Sequence, residues 1–262
     1  MKYFDTHAHY YDERFSKECE GGVDALLTDL LSDSVSYIIN IGTSPQSCRL
    51  AISQAKKYPR MYTALGIHPS DAQSLANIDE ALDEITAMLE DSESKACALG
   101  EIGLDYHYPD TNRELQLYVF DKQMQMAERL GLPVVIHDRE AHADCMDVIR
   151  RYPNVRGVFH SFSGSGEMAK ELVRLGYMIS FSGTVTFTNA RRVGEACEVV
   201  PLSHLLIETD APYLAPHPKR GTMNHSGNLV YTNAKIASIH GISEEEAARI
   251  TEENAKRFFS IS

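Results

Sequence analysis

Residues 96–137 read ACALGEIGLDYHYPDTNRELQLYVFDKQMQMAERLGLPVVIH: a β-type run, a helical pattern and a second β-type run, in that order. The first run is Ala96–Glu101. Asn112 can then cap a helix, because its side-chain oxygen accepts a bond from a first-turn N–H that has no helical partner. Leu117, Phe120, Met124, Ala127 and Leu130 follow at steps of three and four, along one helical face. Gly131 and Pro133 stop the helix, and Val134–His137 is the next extended run. Strand, crossover helix and strand over this length make a βαβ unit, whose two strands run parallel.

The same alternation continues on both sides. Further β-type runs occupy Tyr3–Thr6, Tyr37–Ile41, Met61–Leu65, Val158–His160, Met178–Ser182 and Leu205–Glu208. From Tyr3 to Leu205 the eight runs start about 29 residues apart on average, close to the ~30 residues of one βαβ unit. Ser243 with Glu246 three residues on is a capping box for a C-terminal helix. Eight strands alternating with helices predict an α/β fold with a parallel sheet closed into a (β/α)₈ TIM barrel, an open doubly wound sheet being the rival. No GxGxxG or GxxxxGK[ST] follows any strand, so dinucleotide and P-loop functions lack their motif.

At 262 residues, the chain has the length of one such barrel, and one domain over 1–262 is expected. Hydrophobic residues make up 43% and charged residues 24%, which excludes disordered, collagen-like and coiled-coil chains. The longest uninterrupted apolar runs reach four residues, against the ~20 of a membrane span. The opening MKYFDTHAHY places an acid and two histidines where a signal peptide carries its apolar stretch. Five cysteines, widely spaced and without a CxxC pair, exclude a disulfide framework and a thiolate zinc site. They suit a reducing cytoplasm, and a cytoplasmic location is expected, with no obligate protein partner. The net charge of −12 argues against coating long duplex nucleic acid. A short polyanion remains possible where bound cations reverse the local field.

The chemistry-bearing residues fall at the ends of the strands. His7 and His9, two residues apart after the first strand, would aim both imidazoles the same way. Glu101 closes the fourth strand, His137 the fifth and His160 the sixth, and Asp210 follows the eighth. In a (β/α)₈ enzyme those positions meet on the catalytic face. A lone HxH near a strand end is more often hydrogen-bonded structure than ligand; the joint placement of six donors carries the inference. Four imidazoles and two carboxylates are too many for one ion that keeps an open position. They suffice for two ions ~3.5–4 Å apart bridged by a carboxylate. His68, beside Pro69 at the end of the third strand, points to the same face as a supporting or substrate-binding group.

These segments resemble a known family. FDTHAHY at 4–10, ALGIHP at 64–69, ALGEIGLDY at 98–106, LPVVIHDREA at 132–141, FHSFSGS at 159–165, ISFSGTVTF at 179–187 and LLIETDAPYLAP at 205–216 are similar to TatD proteins. TatD proteins are metal-dependent hydrolases of the amidohydrolase-like barrel superfamily, many of them described as deoxyribonucleases. The likeness runs from Phe4 to about Asn254. It implies a metallo-dependent hydrolase barrel with His7, His9, Glu101 and Asp210 around one ion and Glu101, His137 and His160 around the other, Glu101 bridging. It also implies hydrolysis of DNA ends, with 3′-to-5′ trimming as the expected direction.

One loop departs from the family pattern. In HPKRGTMNHSGNL at 217–229, Thr222 and Met223 stand where the family often carries Lys-Arg, and His225 where an acid is common. Two positive charges are lost beside the presumed phosphate site.

The chemistry then reads as follows. Two divalent ions, with zinc, manganese, nickel, iron or magnesium as candidates, would activate water and polarise the scissile group. Glu101 and Asp210 are the catalytic carboxylates, Asp210 as general base. Arg139 and Arg220 can clamp a phosphate oxygen bidentately. His68, Ser163 and Asn224 complete the expected substrate contacts, and Ser182 can add a hydroxyl. The partner is then a DNA end or a short single-stranded nucleic acid. The same site could instead serve a D-aminoacyl-tRNA deacylase or another small-substrate amidohydrolase.

Overall fold

The computed structural model describes residues 1–262. Eight strands form one sheet in sequential order: β1 (Tyr3–Ala8), β2 (Val35–Ile41), β3 (Met61–Leu65), β4 (Ala96–Asp105), β5 (Val134–Arg139), β6 (Gly157–Phe159), β7 (Met178–Phe181) and β8 (Leu205–Ile207). Every neighbouring pair from β1–β2 to β7–β8 is parallel. Parallel neighbours need a crossover connection, usually a helix, and a helix or helical pair lies between each strand and the next. The result is the expected (β/α)₈ barrel, nearly closed. The two ends of the sheet meet through one bridge, Ala8–Ala211. Beside it Asp210 N–H donates to the His7 carbonyl at 2.9 Å, and His9 N–H to the Ala211 carbonyl at 2.7 Å.

The interior is layered because strand side chains alternate in and out. Phe4, Ile39, Ala64, Ala98, Val135, Val158, Met178 and Leu206, one from each strand, pack with Phe258, Phe259 and Ile261 of the C-terminal segment. That segment plugs the lower end of the barrel with apolar surface. Two residues further along several strands the interior turns polar, as where Thr6 and Ser180 meet at 3.4 Å. The larger apolar cluster fills the space between strands and helices.

Several strands differ in extent from the sequence expectation: β6, β7 and β8 end one residue early, at Phe159, Phe181 and Ile207, which leaves His160 just beyond β6, while others run on. β4 continues past Glu101 to Asp105, and β5 past His137 to Arg139. The helix over Arg113–Leu130 starts at Asn112, whose side chain accepts from Leu115 N–H, and ends at Gly131 with φ 67°. Glycine takes that left-handed conformation without the Cβ penalty other residues meet. Ser243 accepts from Glu246 N–H at the head of the last helix, Glu244–Phe259.

No helix is long and apolar enough to cross a membrane.

Candidate metal centre

Glu101 is the hub of the upper end of the barrel. Its carboxylate lies 2.8 Å from His137 Nδ1, 2.8 Å from His160 Nε2, 3.3 Å from His7 Nε2, 3.5 Å from His68 Nε2 and 3.8 Å from His9 Nε2. Asp210 faces the same space from beyond β8, 3.3 Å from His9 Nε2 and 3.6 Å from His7 Nε2. It takes a left-handed backbone at φ 57°, a conformation Asp tolerates better than most residues. The six predicted donors are thus brought together. Donor atoms of His7, His9 and Glu101, and of His7, His160 and Asp210, lie within 4.8 Å of one another. These nitrogen and oxygen donors fit a divalent cation of the zinc, manganese, nickel or iron type.

What holds the rings from behind supports that fit. His9 Nδ1 lies 2.9 Å from the Ile41 carbonyl and 3.2 Å from the Tyr11 hydroxyl. His137 Nε2 meets Asp105 Oδ2 at 3.2 Å, and His160 Nδ1 meets Glu208 Oε1 at 3.2 Å. In each case an acceptor can take the proton of the outer nitrogen, so the inner nitrogen, which meets a carboxylate here, is the one free to ligate a cation once its own proton is displaced. His7 Nδ1 is buried without a partner; that ring stacks on His160 at a centroid distance of 4.0 Å.

His68 differs. Ser70 N–H donates to its Nδ1 at 3.1 Å, so the neutral ring keeps its proton on Nε2, which faces Glu101. Burial drives its pKa down to about 3, and the ring stays neutral. His68 is therefore a hydrogen-bond donor into the site, although its ring stands close enough to be grouped with Glu101 and His137.

The charges around the centre balance locally. Burial by itself pushes the Glu101 carboxyl up, but the imidazoles of His160, His68 and His7 outweigh it and hold the group well below the usual range. Asp210 follows the same logic against His9, His7 and His160. Burial pushes His7 down, whereas Glu101 and Glu208 overcome burial at His160 and hold it well above its ordinary value.

Above the hub opens a cleft of about 810 Å³, within the usual size range of ligand pockets. His68, Arg139 and Ser163 line it. Arg220 is exposed and lies 4.2 Å from the ring centre of Phe187, another lining residue. Asn224 is placed elsewhere, and its expected substrate contact is corrected. It is fully buried, its amide donates to the carbonyls of Thr209 and Tyr213, and its oxygen accepts from Asn228 and from His225 N–H. Every polar position of that side chain is spent on fixing the loop behind Asp210.

Asp105, Glu208 and Tyr11 were not singled out from the sequence. The signal for Asp105 was there: it stands four residues beyond Glu101 in one extended run, and strand side chains recur on a face every second residue.

Comparison with known proteins agrees with this geometry. The profile of the family described as TatD related DNase matches residues 4–260. The metal-dependent hydrolase YabD of Bacillus subtilis is 36% identical over 262 residues, 99% of each chain. The metal-dependent hydrolase TatD of Mycobacterium tuberculosis is 33% identical, covering 98% of this chain and 97% of its own. The crystal structure of YJJV, a TatD homologue from Escherichia coli, superimposes with a TM-score of 0.91 at 30% identity, over 99% of this chain and 98% of the other. With its profile matched almost end to end and a barrel whose strand tips gather histidines and carboxylates, the chain belongs to the TatD family of metal-dependent hydrolases.

Proposed function

We propose that this protein hydrolyses phosphodiester bonds at DNA ends, removing nucleotides one at a time from the 3′ end, with two divalent cations held around Glu101. The observation that carries this reading is the meeting of six donor side chains, the buried Glu101 carboxylate and five around it, at the floor of an open cleft. Glu101 has partners on both sides, His7 and His9 on one and His137 and His160 on the other, which is the arrangement a bridging ligand requires. Bound there, divalent cations supply a locally positive field that attracts phosphate despite the overall −12, and Lewis-acid polarisation with activation of water.

The chain's own residues do the rest. Asp210 is ionised at neutral pH and faces the cleft, so its carboxylate can orient the attacking water and accept its proton. His68 offers its Nε2–H to a phosphate oxygen. Arg139, on the cleft wall with its side chain 44% exposed and 3.9 Å from Asp105, is free to turn toward a non-bridging oxygen and meet it bidentately. Ser163 adds a hydroxyl from the loop after the neighbouring strand β6. Arg220 approaches the cleft over Phe187.

The test uses metal-reconstituted protein and single-stranded DNA labelled at the 5′ or the 3′ end. A ladder shortening by single nucleotides from the 3′ end is expected. Intact DNA alongside hydrolysis of a D-aminoacyl-tRNA ester, or of a small amide or lactone, would overturn the proposal and move the same centre to an acyl substrate.

A further inference from the structure

Six arginine guanidiniums lie over aromatic rings in this protein, and three of those rings line the cleft above Glu101. Arg14 is 4.3 Å from the ring centre of Tyr213, Arg220 is 4.2 Å from that of Phe187, and Arg139 is 5.7 Å from that of Tyr108. Cation–π pairs are ordinary, about one per 70–80 residues, so their existence decides nothing. Their placement does. The three rings stand on the loops that follow β8, β7 and β4, so they approach the same floor from separate directions.

Tyr213 is the most firmly held. Arg14 covers one face while its Nε and Nη2 grip Asp12 at 3.1 and 3.0 Å, and the Tyr213 hydroxyl donates to Asp12 Oδ2 at 3.3 Å. The ring is nevertheless 47% exposed, and Tyr108 is 51% exposed. A ring fixed by its hydroxyl and one face, with the remainder open to a cleft, is a prepaid stacking surface: the ordering it needs has been done by Asp12 and Arg14. Asp12 is itself neutralised by that arginine, so it does not repel a phosphate nearby.

We propose that Tyr213, with Phe187 and Tyr108, forms stacking subsites for the unpaired nucleobases of a single strand whose end lies over Glu101. This rests on the DNA-end reading above and adds which residues grip the substrate and by which part of it. Base–aromatic stacking accepts every base because each has a π-face, so the subsites read single-strandedness and not sequence. Bases in a duplex already stack on one another and are withheld from the rings.

The experiment measures affinity of the metal-loaded protein for two six-nucleotide single strands with hydrolysis-resistant phosphorothioate linkages, one carrying bases and one abasic throughout. A third strand and a fourth carry 2-aminopurine next to the 5′ or the 3′ end, as a fluorescence report of stacking. Tyr213→Ala should weaken the base-bearing strand by about 5- to 150-fold, the range expected for one lost base stack. It should leave the abasic strand unchanged and relieve the quenching of one 2-aminopurine probe. Tyr213→Phe, which keeps the ring and its Arg14 contact but loses the hydroxyl anchor, should retain the quenching and lose far less affinity than Tyr213→Ala, and Phe187→Ala should repeat the base-selective loss. Equal losses on both strands, or no loss on either, would overturn the stacking proposal even if the wild type still trims DNA. A wild type that neither holds the base-bearing strand nor cuts DNA would overturn both readings.

Discussion

Five imidazoles surround Glu101, yet they are not equivalent, and what separates them is the atom behind each ring. A carbonyl or carboxylate behind His9, His137 and His160 takes the outer proton and frees the inner nitrogen to ligate a cation, whereas the Ser70 amide behind His68 fixes a proton on the inward side. Asp105 is the clearest case to test. Asp105→Ala removes the acceptor that orients His137, and loss of such a partner typically weakens metal affinity about 10–100-fold. Competition against a chelator should show that drop with the circular dichroism spectrum unchanged; undiminished affinity would mean that packing alone orients the ring. At this scale the sequence was legible where a donor residue type fell at or near the expected end of a strand, as for His7, Glu101 and Asp210, even though β4 itself runs on to Asp105. Residue type without burial misled at Asn224: an amide in a polar loop looks like a substrate contact until its hydrogen bonds are traced to Thr209, Tyr213, Asn228 and His225.

Among the elements, β4 carries the most consequence. It is the longest strand, it supplies both Glu101 and Asp105, and the Arg113–Leu130 helix is fastened to it by a buried glutamine: Gln116 accepts from Asp105 N–H at 2.9 Å. One helical stretch further, Gln123 accepts from Ile67 N–H and donates to the Ile67 carbonyl, next to His68. The apolar spacing of that helix revealed its length and its inward face. It did not reveal that two polar residues share the face, because a buried amide is recognised only by the backbone it satisfies. Gly103 shows how close β4 and β5 come. Its φ is 135°, open to glycine and hardly any other residue, and a Cβ there would enter the van der Waals shell of the His137 carbonyl oxygen. Gly103→Ala should therefore lower the melting temperature by about 10 °C, taking several kcal/mol at about 2–4 °C each, and release bound metal as His137 moves. Differential scanning calorimetry with metal analysis reads both, and a wild-type melting temperature would refute the close-approach account.

For the whole molecule, the regular spacing of β-type runs sufficed to anticipate eight parallel strands in sequential order, but not how the first and last would join. Backbone pairing across this joint is confined to the Ala8–Ala211 bridge, between the end of β1 and the chain just beyond β8, with its two flanking hydrogen bonds, and side chains take over the remainder. The fully buried Asp5 accepts from Thr209 N–H, Thr209 Oγ1 and Ser226 Oγ at 3.0, 2.6 and 2.6 Å. Thr6 Oγ1 donates to the Ile207 carbonyl at 3.0 Å. Sparse laddering marks a place where a fold opens locally at low cost. His7 and His9 stand on one bank of that seam and Asp210 on the other, so on the proposed reading a cation held by all three would act as a clasp on the ring. Ligands that bind only the folded state stabilise it by mass action, and here the gain should be local as well as global. Hydrogen–deuterium exchange of residues 5–9 and 206–211 should slow on metal loading, while the well-laddered β4–β5 pair keeps its rate. Exchange at the seam that ignores metal would mean Asp5 and its hydroxyl partners already hold it shut. Removing such a cation would then do more than silence a catalyst: it would unbuckle the barrel at the joint between its first and last strands.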